Sequence, residues 1–132
     1  MAHLLEEKYQ LQKKYSLCLI EDDLKIGDWL INKLKGNERI SSLHWAKNFR
    51  ESENHINNEL PNVVILDLKL PDGNGIDILK GIKSKNLDIK VFVFSSNAAF
   101  KNVCLRLGAK GFFDKSSDGE KLIDTLKYFN LQ

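Results

Sequence analysis

Five short apolar runs, each followed by a stretch with helical spacing, constrain the fold of this chain more than any other feature. The runs consist mainly of Val, Ile, Leu and Phe, and the second one alternates only loosely. They occupy residues 16–20, 39–46, 63–67, 90–96 and 110–115. Because nearly continuous apolar strands must be covered on both faces, the pattern predicts a parallel sheet between two layers of helices.

The stretches between the runs carry apolar residues at steps of three and four, as amphipathic helices do. In the first of them, Ile26, Trp29, Leu30 and Leu34 share one face, and Asp23 is predicted to be the N-cap. The predicted helices occupy residues 24–36, 48–60, 76–85, 98–108 and 118–131. The order is therefore strand and helix repeated five times, which is an α/β fold.

The segment 72–75, Asp-Gly-Asn-Gly, allows a second interpretation. Asn-Gly between apolar runs is a strong signal for a β-hairpin. However, Ile76, Leu79 and Ile82 follow with helical spacing rather than alternation. We therefore predict a loop that leads from the third strand into the third helix.

Length and charge limit the class of protein. The 132 residues suggest one domain, and a net charge of +2 provides no basic stripe for nucleic acid. No stretch approaches the ~18 apolar residues that a membrane span needs. Cys18 and Cys104 lie in apolar segments without ligand-like spacing, so we interpret both as small buried side chains in a reducing compartment. We expect a cytoplasmic protein.

One boundary divides the chain. Residues 1–15 are predicted to be an N-terminal leader, either a short helix or disordered, and not a secretory signal, because they have early acidic residues and no long apolar core. Residues 16–132 are predicted to form the domain.

Polar side chains stand where four of the five predicted strands end. In a parallel sheet of order 2-1-3-4-5, the ends of strands one, three, four and five are neighbours, and ligands bind at this edge. The residues placed there are Glu21, Asp22 and Asp23 after the first strand, Asp67 after the third, Ser95 and Ser96 after the fourth, and Asp114 and Lys115 after the fifth. Each has an ordinary alternative, such as a helix N-terminus or an Asx turn, but their joint occurrence indicates one shared cleft.

The charges of this cleft indicate its chemistry. Two carboxylates about 4 Å apart near a protein surface repel by roughly 4 kcal/mol. Lys115 offsets part of the repulsion and a divalent cation would offset more. Oxygen ligands without histidine or thiolate favour Mg²⁺ over Zn²⁺. A hydroxyl and a lysine beside such an ion suggest a pocket for a phosphoryl group.

Four segments resemble the receiver domain of bacterial two-component response regulators. They are LCLIEDD (17–23), VVILDLKLPDGNG (63–75), VFVFSS (91–96) and GAKGFFDK (108–115), and Pro71 and Gly75 stand at the offsets that the family shows. The resemblance extends from about residue 16 to residue 131. It implies a flavodoxin-like (βα)5 doubly wound sheet of strand order 2-1-3-4-5.

The resemblance also implies roles for the residues of the cleft. Asp67 would accept a phosphoryl group from a sensor histidine kinase or a histidine phosphotransfer protein. Asp22 and Asp67 would ligate Mg²⁺ directly, Glu21 mainly through water, and Lys69 through its backbone carbonyl.

The remaining family positions describe a switch. Ser95 would hydrogen-bond the phosphoryl oxygens and Lys115 would pair with them. Movement of Ser95 would let Phe112 turn inward and change the face formed by the fourth helix, the fifth strand and the fifth helix. This face is also where phosphorylation would favour a homodimer.

The chain departs from the family pattern near Lys115. Ser116 stands where the family has proline, so we expect a trans peptide bond and a different loop into the last helix. Phe112 lacks the hydroxyl of a tyrosine, and Ser96 replaces a small apolar residue. Lys69 and Asn97 lie near the mouth of the cleft and are expected to tune phosphoryl hydrolysis.

The sequence leaves open how a phosphorylated receiver would pass on its signal. The chain is either a stand-alone receiver or the N-terminal part of a DNA-binding regulator, and DNA would be contacted only through an output domain. We expect a phosphoacceptor rather than a multiple-turnover enzyme. The alternatives are a Mg²⁺-dependent phosphatase, which would want an aspartate at the position of Lys69, and a receiver-like binding module without phosphorylation. A flavodoxin-type nucleotide binder is disfavoured, because the loop after the first strand is acidic.

Overall fold

The computed structural model describes residues 4–6, 8 and 13–131. Residues 4–6 and 8 are helical. Most of the predicted leader, 1–15, lies outside the described residues, and its boundary with the domain stays a prediction.

One parallel sheet of five strands organises the chain. The strands are β1 (Tyr15–Ile20), β2 (Ile40–Ala46), β3 (Val63–Leu66), β4 (Lys90–Ser95) and β5 (Gly111–Asp114). Their order in the sheet is β2-β1-β3-β4-β5, and every neighbouring pair is parallel. The flavodoxin-like fold and its strand order are therefore confirmed, with strand ends that differ from those predicted by at most one residue.

Within residues 13–131, five α-helices connect and follow the strands. They are α1 (Leu24–Leu34), α2 (Phe49–Glu59), α3 (Gly75–Ser84), α4 (Lys101–Arg106) and α5 (Gly119–Tyr128). Asp23 caps α1 by accepting hydrogen bonds from Lys25 and Ile26 N–H, as predicted. The predicted fourth helix is shorter than expected, because its first turn, Ala98–Phe100, is a 3₁₀ helix.

The loop between β3 and α3 contains a minimal antiparallel ladder. Lys69 pairs with Asn74 and Leu70 with Gly73, so the chain turns at Pro71–Asp72. Asn74 then caps α3 by accepting a hydrogen bond from Ile76 N–H. The segment is thus a loop into a helix, as favoured, and the hairpin signal accounts for only these two residue pairs.

Alternate residues of each strand face opposite layers of the core. Cys18 and Ile20 of β1 pack in the cluster that includes α2, α3 and α4 residues, whereas Leu17 and Leu19 pack in the cluster with α1 and α5 residues. Both cysteines are buried and free, as predicted. Because the two layers cover the sheet, its carboxyl-end edge is left to carry the polar residues.

Within the described residues, no helix is both long and apolar enough to cross a membrane.

A pair of stacked histidines joins α2 to the edge strand β2. The rings of His44 and His55 lie parallel, with their centroids 3.9 Å apart. Burial and the charge of His44 lower the pKa of His55, while Glu59 opposes the shift. The exposed His44 and the half-buried His55 are therefore surface or packing residues, as expected, whereas His3 lies outside the described residues.

This contact predicts a pH dependence of stability. The unfolded chain binds a proton at His55 near pH 6.5, above the folded pKa, so the contribution of neutral His55 is complete above pH 6.5 and is lost as the pH falls below it. The raised pKa of Glu21 acts in the opposite sense over this range, so the effect of His55 is measured as a difference between two proteins. As the pH falls from about 7.5 to about 5.5, we expect the urea midpoint of the wild type to change in the unfavourable direction relative to that of His55→Gln. Equal changes in the two proteins would contradict this assignment.

Candidate functional site

Three carboxylates meet at the carboxyl-end edge of the sheet. Glu21 and Asp22 follow β1 directly, and Asp67 follows β3, which is the neighbour of β1. One ligand oxygen of each residue lies within 4.8 Å of those of the other two. Neighbouring parallel strands thus bring together side chains that are more than forty positions apart in sequence.

Lys115 reaches into this group from the end of β5. Its Nζ lies 2.8 Å from Glu21 Oε1 and 3.2 Å from Asp67 Oδ2. Glu21 is only 1% exposed and Asp67 only 4%, whereas Asp22 is exposed. The site therefore has two buried carboxylates that share one ammonium group and a third at its mouth.

The pKa values show that one lysine does not balance three acids. Burial raises the pKa of Glu21 to about 7; the hydrogen bond from Lys115 opposes this and the charge of Asp67 adds to it. Burial, followed by the hydrogen bond and charge of Asp67, also raises the pKa of Asp22. Burial lowers the pKa of Lys115, but the bond to Glu21 and the charge of Asp67 outweigh it and the net pKa rises. The site carries an excess of negative charge.

The donor set fits a hard divalent cation. All three side chains offer oxygen, and Mg²⁺ is bound through one or two carboxylates with waters or phosphate completing the shell. Lys69 lines the same cleft, of about 530 Å³, and its N–H donates a 3.2 Å hydrogen bond to Asp67 Oδ1. That the Lys69 carbonyl completes the ligand set stays a prediction.

The two residues predicted to form the switch, Ser95 and Phe112, lie on the neighbouring strands β4 and β5. Ser95 ends β4 and is buried, and its hydroxyl accepts a hydrogen bond of 3.1 Å from Asn97 N–H. The exposed Ser96 lines the cleft. Phe112 on β5 is half-buried and packs against the cluster that contains α3 and α4 residues. Because Ser95 Oγ accepts this bond, donation of its own O–H proton to a phosphoryl oxygen does not require that the bond to Asn97 break.

The loop after Lys115 is held together without the family's proline. Every peptide bond of the described residues is trans, as expected for Ser116. The N–H and hydroxyl of Ser116 both donate to Asp114 Oδ1, at 2.8 and 2.6 Å, and Asp114 N–H donates to Asp118 Oδ2 at 3.0 Å. These bonds close the loop, and Lys115 still reaches both buried carboxylates.

Asp72 is a residue of the site region that the sequence analysis did not identify. Its carboxylate accepts hydrogen bonds from Phe49 N–H at 2.6 Å and Arg50 N–H at 3.1 Å, in the first turn of α2. Gly73 lies against the Phe49 ring, where a Cβ would come within 2.7 Å. Asp72 thus anchors the loop that follows Asp67 to another helix. No local pattern signals a cap supplied from 23 positions away.

The comparisons with known proteins agree with this geometry. The family model of the response regulator receiver domain matches residues 17–127. The chain is 31% identical over 107 residues to a protein-glutamate methylesterase/protein-glutamine glutaminase of Clostridium acetobutylicum, covering 78% of this chain and 31% of that protein. It is 26% identical over 112 residues to the DNA-binding transcriptional activator DevR/DosR of Mycobacterium tuberculosis, covering 83% and 51%. The chain therefore spans about a third to a half of the length of these relatives.

A solved structure shares the whole fold. The signal receiver domain of a DNA binding response regulator protein (merR) from Colwellia psychrerythraea 34H is similar with a TM-score of 0.78 and 26% identity. The similarity covers 86% of this chain and 96% of that one. The likeness thus extends over the sheet and its helices and is not limited to the acidic segments.

Proposed function

Since the chain belongs to the response regulator receiver domain family, we propose that Asp67 accepts a phosphoryl group from a sensor histidine kinase or a histidine phosphotransfer protein. The observation that carries this proposal is the Asp67 carboxylate 3.2 Å from Lys115 Nζ, in a cleft shared with Glu21 and Asp22. A carboxylate oxygen that attacks a phosphohistidine needs positioning and neutralisation of charge more than a chemical base. The cleft offers both.

Each residue of the cleft has a distinct part in the transfer. Asp22 and Asp67 would hold a Mg²⁺ ion directly and Glu21 mainly through water, and the ion would supply charge neutralisation for the phosphoryl oxygens. Glu21 orients the Lys115 ammonium group through contacts of 2.8 and 3.1 Å. Lys115 then pairs with the phosphoryl oxygens. The buried position of Asp67 limits water access to the acyl phosphate that forms there.

Phosphorylation is proposed to act through Ser95 and Phe112. These residues lie on neighbouring strands, where Val93 pairs with Phe112 and Ser95 with Asp114. If the Ser95 side chain shifts toward the phosphoryl group to donate its hydroxyl proton, it vacates space near the half-buried Phe112 ring. The new ring position changes the surface formed by α4, β5 and α5, which is the face proposed for a homodimer of phosphorylated chains.

The names of two relatives support a proposal for how the signal is passed on. The Clostridium acetobutylicum relative is named a protein-glutamate methylesterase/protein-glutamine glutaminase, and the Mycobacterium tuberculosis relative is named a DNA-binding transcriptional activator. Both proteins are longer than this chain. We assign this chain the phosphoacceptor part and no multiple-turnover activity of its own. Any contact with DNA is assigned to an output domain, and not to the residues of this fold.

Incubation with acetyl phosphate and Mg²⁺ tests the phosphoacceptor assignment. We expect intact-mass spectrometry to show one phosphoryl group per chain, localised to Asp67, and none when EDTA replaces Mg²⁺, because the repulsion among three carboxylates and the phosphoryl group is then not neutralised. No adduct in the presence of Mg²⁺, or an adduct on another residue, would refute the assignment.

A further inference from the structure

The indole of Trp45 contacts the backbone of the acidic site from the neighbouring strand. Trp45 lies near the end of β2, and its Nε1–H donates a 2.9 Å hydrogen bond to the carbonyl of Glu21. The next residue, Ala46, accepts a 3.0 Å hydrogen bond from Glu21 N–H. Two successive residues of β2 therefore hold both backbone polar groups of Glu21.

The carbonyl of Glu21 belongs to the peptide that leads into Asp22. Since a peptide unit is planar, a bond to this carbonyl sets the orientation of the whole unit. The pairing of β1 with β2 ends at Ile20 and Ala46, and α1 does not begin until Leu24. The Trp45 side chain thus holds the chain where the strand ladder has ended and two of the three carboxylates emerge.

The position of the indole is itself fixed by its neighbours. A Cβ on Gly27 of α1 would come within 1.9 Å of the ring, so the indole fills the space in which any other side chain at 27 would begin. Lys47 Nζ lies 4.7 Å from the ring centroid on the strand side. The ring is half-buried and packs against the cluster with α1 and α5 residues. Its N–H is therefore aimed at Glu21 by packing.

We propose that Trp45 is a positioning residue of the cation site. By fixing the peptide between Glu21 and Asp22, it holds the Glu21 carboxylate inward against Lys115 while Asp22 faces the cleft beside Asp67. This inference rests on the proposed function, because it assigns Trp45 a part in binding the divalent cation that the phosphoacceptor needs.

The variant Trp45→Phe separates positioning from packing, because it keeps an aromatic ring and removes the N–H donor. We expect its Mg²⁺ dissociation constant, from an amide NMR titration of the folded protein, to rise about fivefold, the effect of one lost hydrogen bond. Trp29→Phe is the matched control, since Trp29 is partly exposed and its ring lies against Gly119 at the start of α5. A role in packing alone would lower the melting temperature and leave the Mg²⁺ affinity of the folded protein at the control value, which would overturn the inference.

A second variant tests the same contact from the other side. Gly27→Ala places a Cβ into the ring and should also weaken Mg²⁺ binding, although alanine in a helix interior is favoured over glycine. In the background Trp45→Ala, the ring is gone and Gly27→Ala should have no further effect on Mg²⁺ affinity. Equal effects of Gly27→Ala in both backgrounds would overturn the proposal.

The wild-type titration distinguishes a failure of the role assigned to Trp45 from a failure of the proposed function. If the wild-type chain binds Mg²⁺ and is labelled at Asp67 while Trp45→Phe binds the ion equally well, only the role of Trp45 is wrong. If the wild-type chain does not bind Mg²⁺, the proposed function fails and the role of Trp45 fails with it.

Discussion

Asp67→Asn is expected to abolish phosphoryl labelling by acetyl phosphate, whereas Asp114→Asn should leave labelling within about twofold of the wild type. An amide at position 67 cannot form the acyl phosphate. Asp114 ends the outer strand β5 at the same edge of the sheet, but its carboxylate bonds Ser116 instead of Lys115. Intact-mass spectrometry of the three proteins, treated in parallel with Mg²⁺, measures the outcome.

Loss of label in Asp67→Asn is not expected to reflect unfolding. The variant keeps the 2.8 Å contact between Lys115 and Glu21 and removes a negative charge that faces Glu21. A circular dichroism melt near that of the wild type is the control. Labelling of Asp67→Asn, or its loss in Asp114→Asn, would show that the acceptor is misassigned.

The same variant provides a control for the proposed switch. Beryllofluoride with Mg²⁺ mimics the phosphoryl group on an aspartate, so it should shift amide resonances of α4, β5 and α5 in the wild type and not in Asp67→Asn. Shifts confined to the cleft of the wild type would refute the coupling through Ser95 and Phe112.

Arg39→Met is expected to lower the free energy of unfolding by about 3 kcal/mol, the largest effect on stability that we expect from one residue outside the cleft. Arg39 is only 7% exposed. Its Nε donates to the Lys13 carbonyl at 3.1 Å, and its Nη1 donates to the carbonyls of Lys127 and Phe129 at 3.0 and 2.9 Å. Its guanidinium also lies about 5 Å from the ring centroids of Tyr15 and Phe129.

These contacts tie both ends of the domain together at the edge of the sheet opposite Asp67. Hydrogen bonds from a charged donor contribute roughly 1.5–3 kcal/mol each, and cation–π contacts add about 1 kcal/mol, but their effects overlap in one side chain. Methionine fills much of the volume and leaves three carbonyls without this donor. Arg39→Lys should recover less than half of the loss, because an ammonium group cannot reproduce the planar fork.

Urea unfolding followed by circular dichroism measures the effect. Arg50→Met is the matched control, since Arg50 is exposed on α2, and it should change the free energy of unfolding by no more than about 0.5 kcal/mol. A loss in Arg39→Met as small as in this control would mean that the buried guanidinium contributes little beyond its own desolvation cost.

The order of elements was predictable because it depends on local patterns. Runs such as 63–67 and the helical spacing of Ile26, Trp29 and Leu30 repeat over a few residues, and the cap at Asp23 depends on the N–H groups two and three positions later. The 3₁₀ turn that precedes α4 was not predictable in this way. Residues 98–100 have helical spacing, but the N-cap bond from Ala99 N–H to Asn97 leads into a 3₁₀ turn.

The contacts that shape the site were beyond local patterns. Asp72 caps α2 from another loop, and Ser116 bonds back to Asp114 in place of a proline turn. The buried Arg39 looks like any other arginine in the sequence. Each of these contacts depends on which surfaces the fold brings together, and no spacing rule encodes it.

For this protein, the sequence by itself determined that acids, hydroxyls and a lysine stand at the carboxyl ends of particular strands, because a strand ends where its apolar pattern ends. Only the tertiary structure decided that Glu21 is buried against Lys115 while Asp22 faces the cleft. The orientation of a carboxylate depends on the hydrogen bonds to its backbone and on the ion pair with its side chain. For Glu21 these come from Trp45 and Lys115, which are 24 and 94 positions away in the sequence.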